Sequence, residues 1–167
     1  FEFVGVPLNV SIALSVDTFL RGQIRFNGSI DATGQVLDAD AMVITRKFGA
    51  TLKPQLKKAL QTGGPLQAIE ICAEKAPKIA RELSKETGWQ VKRVSLKPRN
   101  SKNAKPDSWE TEILKRFDQR QQAGEPAMQM THSEITGKHY RFMKAQPVET
   151  ICLTCHGEHL AKEVKTT

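Results

Sequence analysis

Aromatic side chains are scarce. The 167-residue chain has two Trp, one Tyr and seven Phe, 6% in all, a thin supply for a core of this length that a large apolar cofactor would help to fill. No stretch approaches the roughly 20 apolar residues that span a bilayer, so the chain as given holds no transmembrane helix. Cysteine is sparse too: there are three, an odd number at spacings unlike a disulfide framework. No Met opens the sequence and no basic leader precedes Phe1, the pattern of a mature or processed chain. No nucleophile–base pair and no phosphate loop is recognisable, so no enzymatic activity is expected.

What is present is enough for one domain of ordinary size. Apolar residues make up 39% and charged residues 26%, which allows a buried core and excludes compositional disorder. Lys and Arg outnumber Asp and Glu by 25 to 18, a net charge of +7. That balance suits an acidic partner protein, an anionic surface or a nucleic acid. The densest basic run, Lys92, Arg93, Lys97, Arg99, Lys102 and Lys105, lacks the interleaved aromatics of a nucleic-acid platform. A solvated basic surface is the simpler reading, and no nucleic-acid partner is expected.

The first stretch differs in period from the rest. Apolar residues alternate in Val10 to Val16 and again in Gln23 to Ile30, as in strands with one buried face. Asp31 to Gly34 reads as a turn or linker. The expected division is residues 1–36, a β extension and possible assembly arm, and residues 37–167, the main domain. From Asp38 the period is helical, with Ala41, Ile44, Phe48, Leu52, Leu56 and Leu60 on one face. Pro54 predicts a kink or break near Ala50, and Gly63-Gly64-Pro65 ends this helix and starts another. The second helix carries Ile69, Cys72 and Ala76 on one face. Pro77 should interrupt it, and a third helix should end before Gly88. Trp89 to Leu96 reads as a strand. Asp107 with Glu110 forms a capping box that opens a helix with Trp109, Ile113, Leu114 and Phe117 on one face. Met128 to Ile135 and His139 to Ala145 read as a hairpin about Thr136-Gly137. That register pairs Met130 with Met143 and His132 with Arg141, so Met128, Met130, His132, Arg141 and Met143 share a face. A short helix or turn from Glu149 then holds the remaining cysteines.

Those cysteines carry the chemistry. Cys152-Leu153-Thr154-Cys155-His156 is the c-type haem attachment pattern. Two cysteines three apart lie on one side of a helical turn, their Cβ atoms about 5–6 Å apart. Both sulfurs then face one edge of a porphyrin, each able to add to a vinyl group, and His156 follows at once as an iron ligand. A zinc site of Cys152, Cys155, His156 and His159 would be cramped, since structural zinc gathers separated pairs. A thioredoxin-like dithiol should open a helix after an early strand, not lie near the C-terminus. The sixth iron position stays open on chemistry alone. Cys72, the methionines (Met42, Met128, Met130, Met143), His132, His139 and His159 are all candidates, Cys72 and a Met equally so.

Ala68-Ile69-Glu70-Ile71-Cys72 with Ala76-Pro77 comes first in a series of family-like segments. Ser95 to Asn100, Asp107 with Trp109-Glu110, Arg141 to Lys144 and Cys152 to Gly157 follow in that order. Together these segments resemble the PAS-like monohaem c-type cytochromes and haem-sensor domains with a cysteine distal ligand, over about residues 38–160. The resemblance implies an α+β fold: a PAS-like antiparallel sheet with N-terminal and flanking helices enclosing one covalent haem c. It implies Cys72 as distal thiolate and His156 as proximal imidazole. Arg99 and Arg141 become partners for the haem propionates, with surface ion pairing the alternative. The family contains exported cytochromes and extracytoplasmic sensor domains. It therefore implies electron transfer with a redox partner protein, an acidic one given the charge, outside the cytoplasm (periplasmic or extracellular). A redox or gas sensor in which Cys72 is displaced is the alternative. Residues 1–36 are similar, over a short length, to the donor arm and first strand of chaperone–usher pilins. That similarity implies a third reading, a haem-bearing subunit of a strand-exchanged extracellular filament that self-associates through its N-terminal strands. Pairing of the same strands within the chain is its counterpart.

Overall fold

An alternating strand buried on one side only would leave its other face wet. Strand β1 (Ser11–Asp17) is instead buried along both faces. It lies inside a four-stranded antiparallel sheet with β2 (Gln90–Val94), β3 (Thr131–Thr136) and β4 (His139–Ala145), in the order β2-β1-β4-β3. The computed structural model describes residues 11–17, 35–97, 104–136, 139–156 and 164. Within them, the part of the expected extension that is seen is a central strand. Ser11 pairs with Val94 on one side and Ala145 on the other, both from beyond residue 36. The expected second strand, 23–30, lies outside the described residues.

Helices cover both faces. Ile12, Leu14 and Val16 of β1, with Tyr140 and Phe142 of β4, pack against Ala41, Ile44, Phe48 and Leu52 of α1 (Gln35–Glu70) and Ile79 and Leu83 of α2 (Ala76–Thr87). Ala13, Val94, Met143 and Ala145 face the other way, against Ile113, Leu114 and Phe117 of α3 (Ser108–Gln122). The class is α+β, with an open antiparallel sheet between helix layers. Trp89 is buried in the first layer, edge-on to Tyr140 at 6.1 Å between centroids. The Tyr140 hydroxyl donates to Asp38. Burial, then the Asp38 carboxylate, pushes this phenol well above its ordinary range.

Three local expectations change in detail. The expected kink near Ala50 is absent: α1 keeps helical geometry through Pro54 and breaks instead at Gly64, where φ is 68° and ψ is −161°. Ala50 and Pro54 both lie on the exposed side, where water can satisfy the carbonyl that the proline leaves unbonded. The break turns residues 35–63 and 65–87 into the outgoing and return arms of a helical hairpin. Pro77 likewise does not stop the return arm. A π turn, Ile71–Lys75, precedes it, and the Ala76 N–H donates back to the Ile71 carbonyl. The wider turn relieves the clash a proline ring makes with the preceding turn.

The third change is the hairpin register. His132 pairs with Met143 and Glu134 with Arg141, two residues away from the expected pairing. A two-residue shift preserves the face, so Met130, His132, Arg141 and Met143 still share it. Met128 does not join them. It sits on a 3₁₀ turn, Ala127–Gln129, and is 73% exposed. Lys144 pins that turn by donating to the carbonyls of Met128 (2.6 Å) and Ala127 (3.2 Å), and its burial pushes its ammonium pKa down.

Candidate functional site

The cysteine motif folds as expected, on a helix. Helix α4 spans Thr150–His156, opened by a bond from the Cys152 N–H to the Glu149 carbonyl at 2.8 Å. Cys152 and Cys155 are therefore one turn apart, both half-buried and joined by no disulfide. His156 is the last residue of the helix.

Two contacts fasten α4 to the helical hairpin. Glu149, just before it, forms an ion pair with Lys53 of the outgoing arm. The Cys155 thiol lies 3.9 Å from the Pro65 carbonyl oxygen at the start of the return arm. Cys72 follows Pro65 by seven residues on that same arm, about 10 Å along a helix axis at ~1.5 Å per residue. It stands in the π turn, half-buried. The structure thus sets α4 against the tip of the hairpin, with Cys72 further along the same return arm, next to Ile71, which packs against the sheet core. Ala59 and Ala68, buried one turn either side of Gly64, let the two arms approach closely. Leu56, Leu60, Ile69 and Ile71 of the arms and Ile151 and Leu153 of α4 are only partly buried.

Arg141 and Met143 are placed elsewhere. Met143 is fully buried in the layer with α3, on the face of the sheet away from α1, where its role is packing. Arg141 is engaged by acids: Nη2 reaches Asp107 Oδ2 at 2.6 Å and Glu110 Oε1 at 3.3 Å. Its guanidinium lies 4.2 Å over the Trp109 ring. Glu110, 1% exposed, also holds Lys92 at 2.8 Å. Its carboxylate accepts the Asp107 N–H, while Asp107 accepts the Glu110 N–H. Burial alone would raise the Asp107 pKa, but the Glu110 N–H and Arg141 outweigh it and hold the carboxyl low. The capping box was legible in the sequence, but its second use as a seat for Arg141 and Lys92 was not. Arg99 and His159 lie outside the described residues.

Among the described residues no group of three His, Cys, Asp or Glu side chains converges on a metal position. The donor set is of another kind: two thiols at vinyl-attachment spacing on α4, a third thiol on the neighbouring arm, and partly covered apolar side chains on the same elements. Those residues fit a covalently held haem. A family model described as Tll0287-like (Tll0287) matches residues 15–167. The chain belongs to the Tll0287-like family. That family is known as cytochrome c-like, and its model takes in β1 from Ser15 onward together with every later element. No curated protein and no solved structure matches the chain. Its membership of the Tll0287-like family makes it a cytochrome-type domain. No helix among the described residues is long and apolar enough to cross a membrane.

Proposed function

We propose that this Tll0287-like protein is a monohaem c-type cytochrome that transfers electrons outside the cytoplasm. The observation that carries the reading is the docking of α4, with Cys152 and Cys155 one turn apart, against the hairpin that bears Cys72. When bound, haem supplies a one-electron iron couple. Cys152 and Cys155 hold it through thioether bonds, and His156 supplies the proximal nitrogen. Cys72 supplies the distal thiolate, whose negative charge favours the ferric state. Leu56, Leu60 and Ile69 of the arms and Ile151 and Leu153 of α4, all half-buried, would shield the group from water. The PAS-like arrangement belongs to the same reading, as does the location, since this attachment is made outside the cytoplasm.

A second reading has its own support. The π turn at Ile71–Lys75 puts Cys72 on a helix segment with poorer hydrogen bonding than its neighbours. A ligand on such a segment leaves more readily, which suits a redox or gas sensor. Reduction followed by carbon monoxide addition separates the two. A stable six-coordinate ferrous protein that ignores carbon monoxide supports plain electron transfer, and rapid carbon monoxide binding supports sensing. For the function as a whole, the test is an electron paramagnetic resonance spectrum of the purified ferric protein. A low-spin thiolate–imidazole signal is expected, and its absence overturns the proposed ligation.

A further inference from the structure

The positive charge of this chain is not spread evenly. From residue 41 to residue 69 there are five cations (Arg46, Lys47, Lys53, Lys57 and Lys58) and no acid. The return arm, in contrast, mixes Glu70, Glu74, Glu82 and Glu86 with four bases. Elsewhere the helices mix acids among their cations, with pairs one turn apart such as Lys78–Glu82 and Glu112–Arg116. Like charges at i, i+4 destabilise a helix; Arg81 and Lys85, and Arg116 and Arg120, are such neighbours too, but Lys53 and Lys57 of the outgoing arm stand on a stretch with no acid of its own. Lys47 and Lys53 find acids on other elements, Glu86 and Glu149. Among the described residues no ion pair holds Arg46, Lys57 or Lys58, and all three are exposed.

Geometry gathers this charge beside the cysteines. Arg46, Lys53 and Lys57 recur at seven and four residues, one stripe on a 3.6-residue helix. The stripe lies opposite the buried Phe48, Leu52 and Ala59. Through the Lys53–Glu149 pair it runs directly up to α4.

We propose that this cationic stripe, centred on Lys53 and Lys57 with Lys58 on its flank, is the docking face for an acidic redox partner protein. The inference rests on the cytochrome reading and names the surface through which it works. Charge complementarity without a large apolar patch suits a brief electron-transfer encounter, where steering sets the rate. An anionic membrane would want apolar side chains to insert. Among the described residues, the large exposed apolar side chains of the hairpin and of the segment leading into α4 are Val43, Leu66 and Val148, one on each of three segments and not the continuous apolar face of an inserting helix.

The test uses the haem-loaded full chain. The protein is reduced and mixed in stopped flow with hexacyanoferrate(III), an anionic oxidant that takes one electron from the ferrous haem and becomes hexacyanoferrate(II). Oxidation should slow as ionic strength rises. Lys57→Glu/Lys58→Glu should lose about tenfold in rate at low salt, and Lys57→Gln/Lys58→Gln less. Lys115→Glu, on α3, should stay near wild type. Poly-L-glutamate, standing in for an acidic protein, should bind wild type in calorimetry and not the double Glu variant. Equal rates for the double Glu variant and Lys115→Glu overturn the docking face. So does capture of wild type, but not the variant, by phosphatidylglycerol vesicles when poly-L-glutamate does not bind. A chain without a covalent Soret band fails the cytochrome reading instead, and poly-L-glutamate binding still tests the face there.

Discussion

The thiol of Cys155 lies 3.9 Å from the carbonyl oxygen of Pro65, across 90 residues of sequence. Pro65 opens the return arm, so this contact sets the cysteine helix at the head of the segment that carries Cys72. The covalent and the distal ends of the proposed haem site are thereby referred to one arm of the hairpin.

Haem should be bonded through Cys152 and Cys155. Extraction into acidified acetone is expected to leave it on the wild-type chain. Cys152→Ala/Cys155→Ala should release whatever haem it binds. Haem recovered in solvent from mature wild-type protein defeats the assignment.

Cys72→Ser should keep its haem and lose the low-spin thiolate signature in electron paramagnetic resonance. An unchanged spectrum would move the distal ligand to another residue. Met143 is a poor heir, being fully buried on the far side of the sheet.

Two glycines of α1 should respond oppositely to alanine. Gly64, at φ 68° and ψ −161°, occupies a region that is essentially glycine-only, so Gly64→Ala should cost about 1–3 kcal/mol in urea unfolding. Gly49 is in mid-helix, and a Cβ there would meet nothing within 4 Å. Gly49→Ala should therefore stabilise by roughly 0.5–1 kcal/mol.

Glu110→Ala removes the carboxylate beneath Lys92 and Arg141 and half of the capping box. The loss should be about 1–3 kcal/mol, the range for leaving hydrogen-bonding groups without a partner, read as a lower urea midpoint at unchanged slope. A shift below about 1 kcal/mol would mean that the network adds little.

Asp107 gives the fold a pH dependence. Its folded pKa is held below the ordinary value, so its contribution is present above the unfolded pKa and is lost as pH falls through the folded one. Asp107→Asn keeps a competent N-cap and removes the charge facing Arg141. Because the pair is half-exposed, the variant should be weaker by only about 0.5 kcal/mol at neutral pH. The difference from wild type should shrink as pH falls through the folded pKa of Asp107 and be gone once its carboxyl is protonated in both states.

Local rules were readable in the sequence because few residues decide them. Gly88 ends α2 in the left-handed region at φ 72°, Asp107 and Glu110 cap α3 reciprocally, and the spacing of Cys152 and Cys155 needed only one helical turn. What was not readable depends on distant neighbours. The alternation of Val10 to Val16 indicates a strand but does not name Gln90–Val94 and His139–Ala145 as its flanks. Arg141 looks the same on paper whether it meets a propionate or the pair Asp107 and Glu110. Pro54 and Pro77 look equally disruptive, yet water on the exposed side tolerates one and a π turn absorbs the other.

The antiparallel pairing of β1 with β4 sets an order of assembly. Ser11 meets Ala145 and Asp17 meets His139, so each pair closes a loop that contains most of the chain, the slow kind of contact in folding. The helical hairpin about Gly64 and the β1–β2 pair need only the first part of the polypeptide. Strands β3 and β4 enter afterwards, and α4 follows β4 directly. Under the proposed attachment, Cys152 and Cys155 are thus the last thiols of the site to be placed, as Cys155 comes to rest against Pro65.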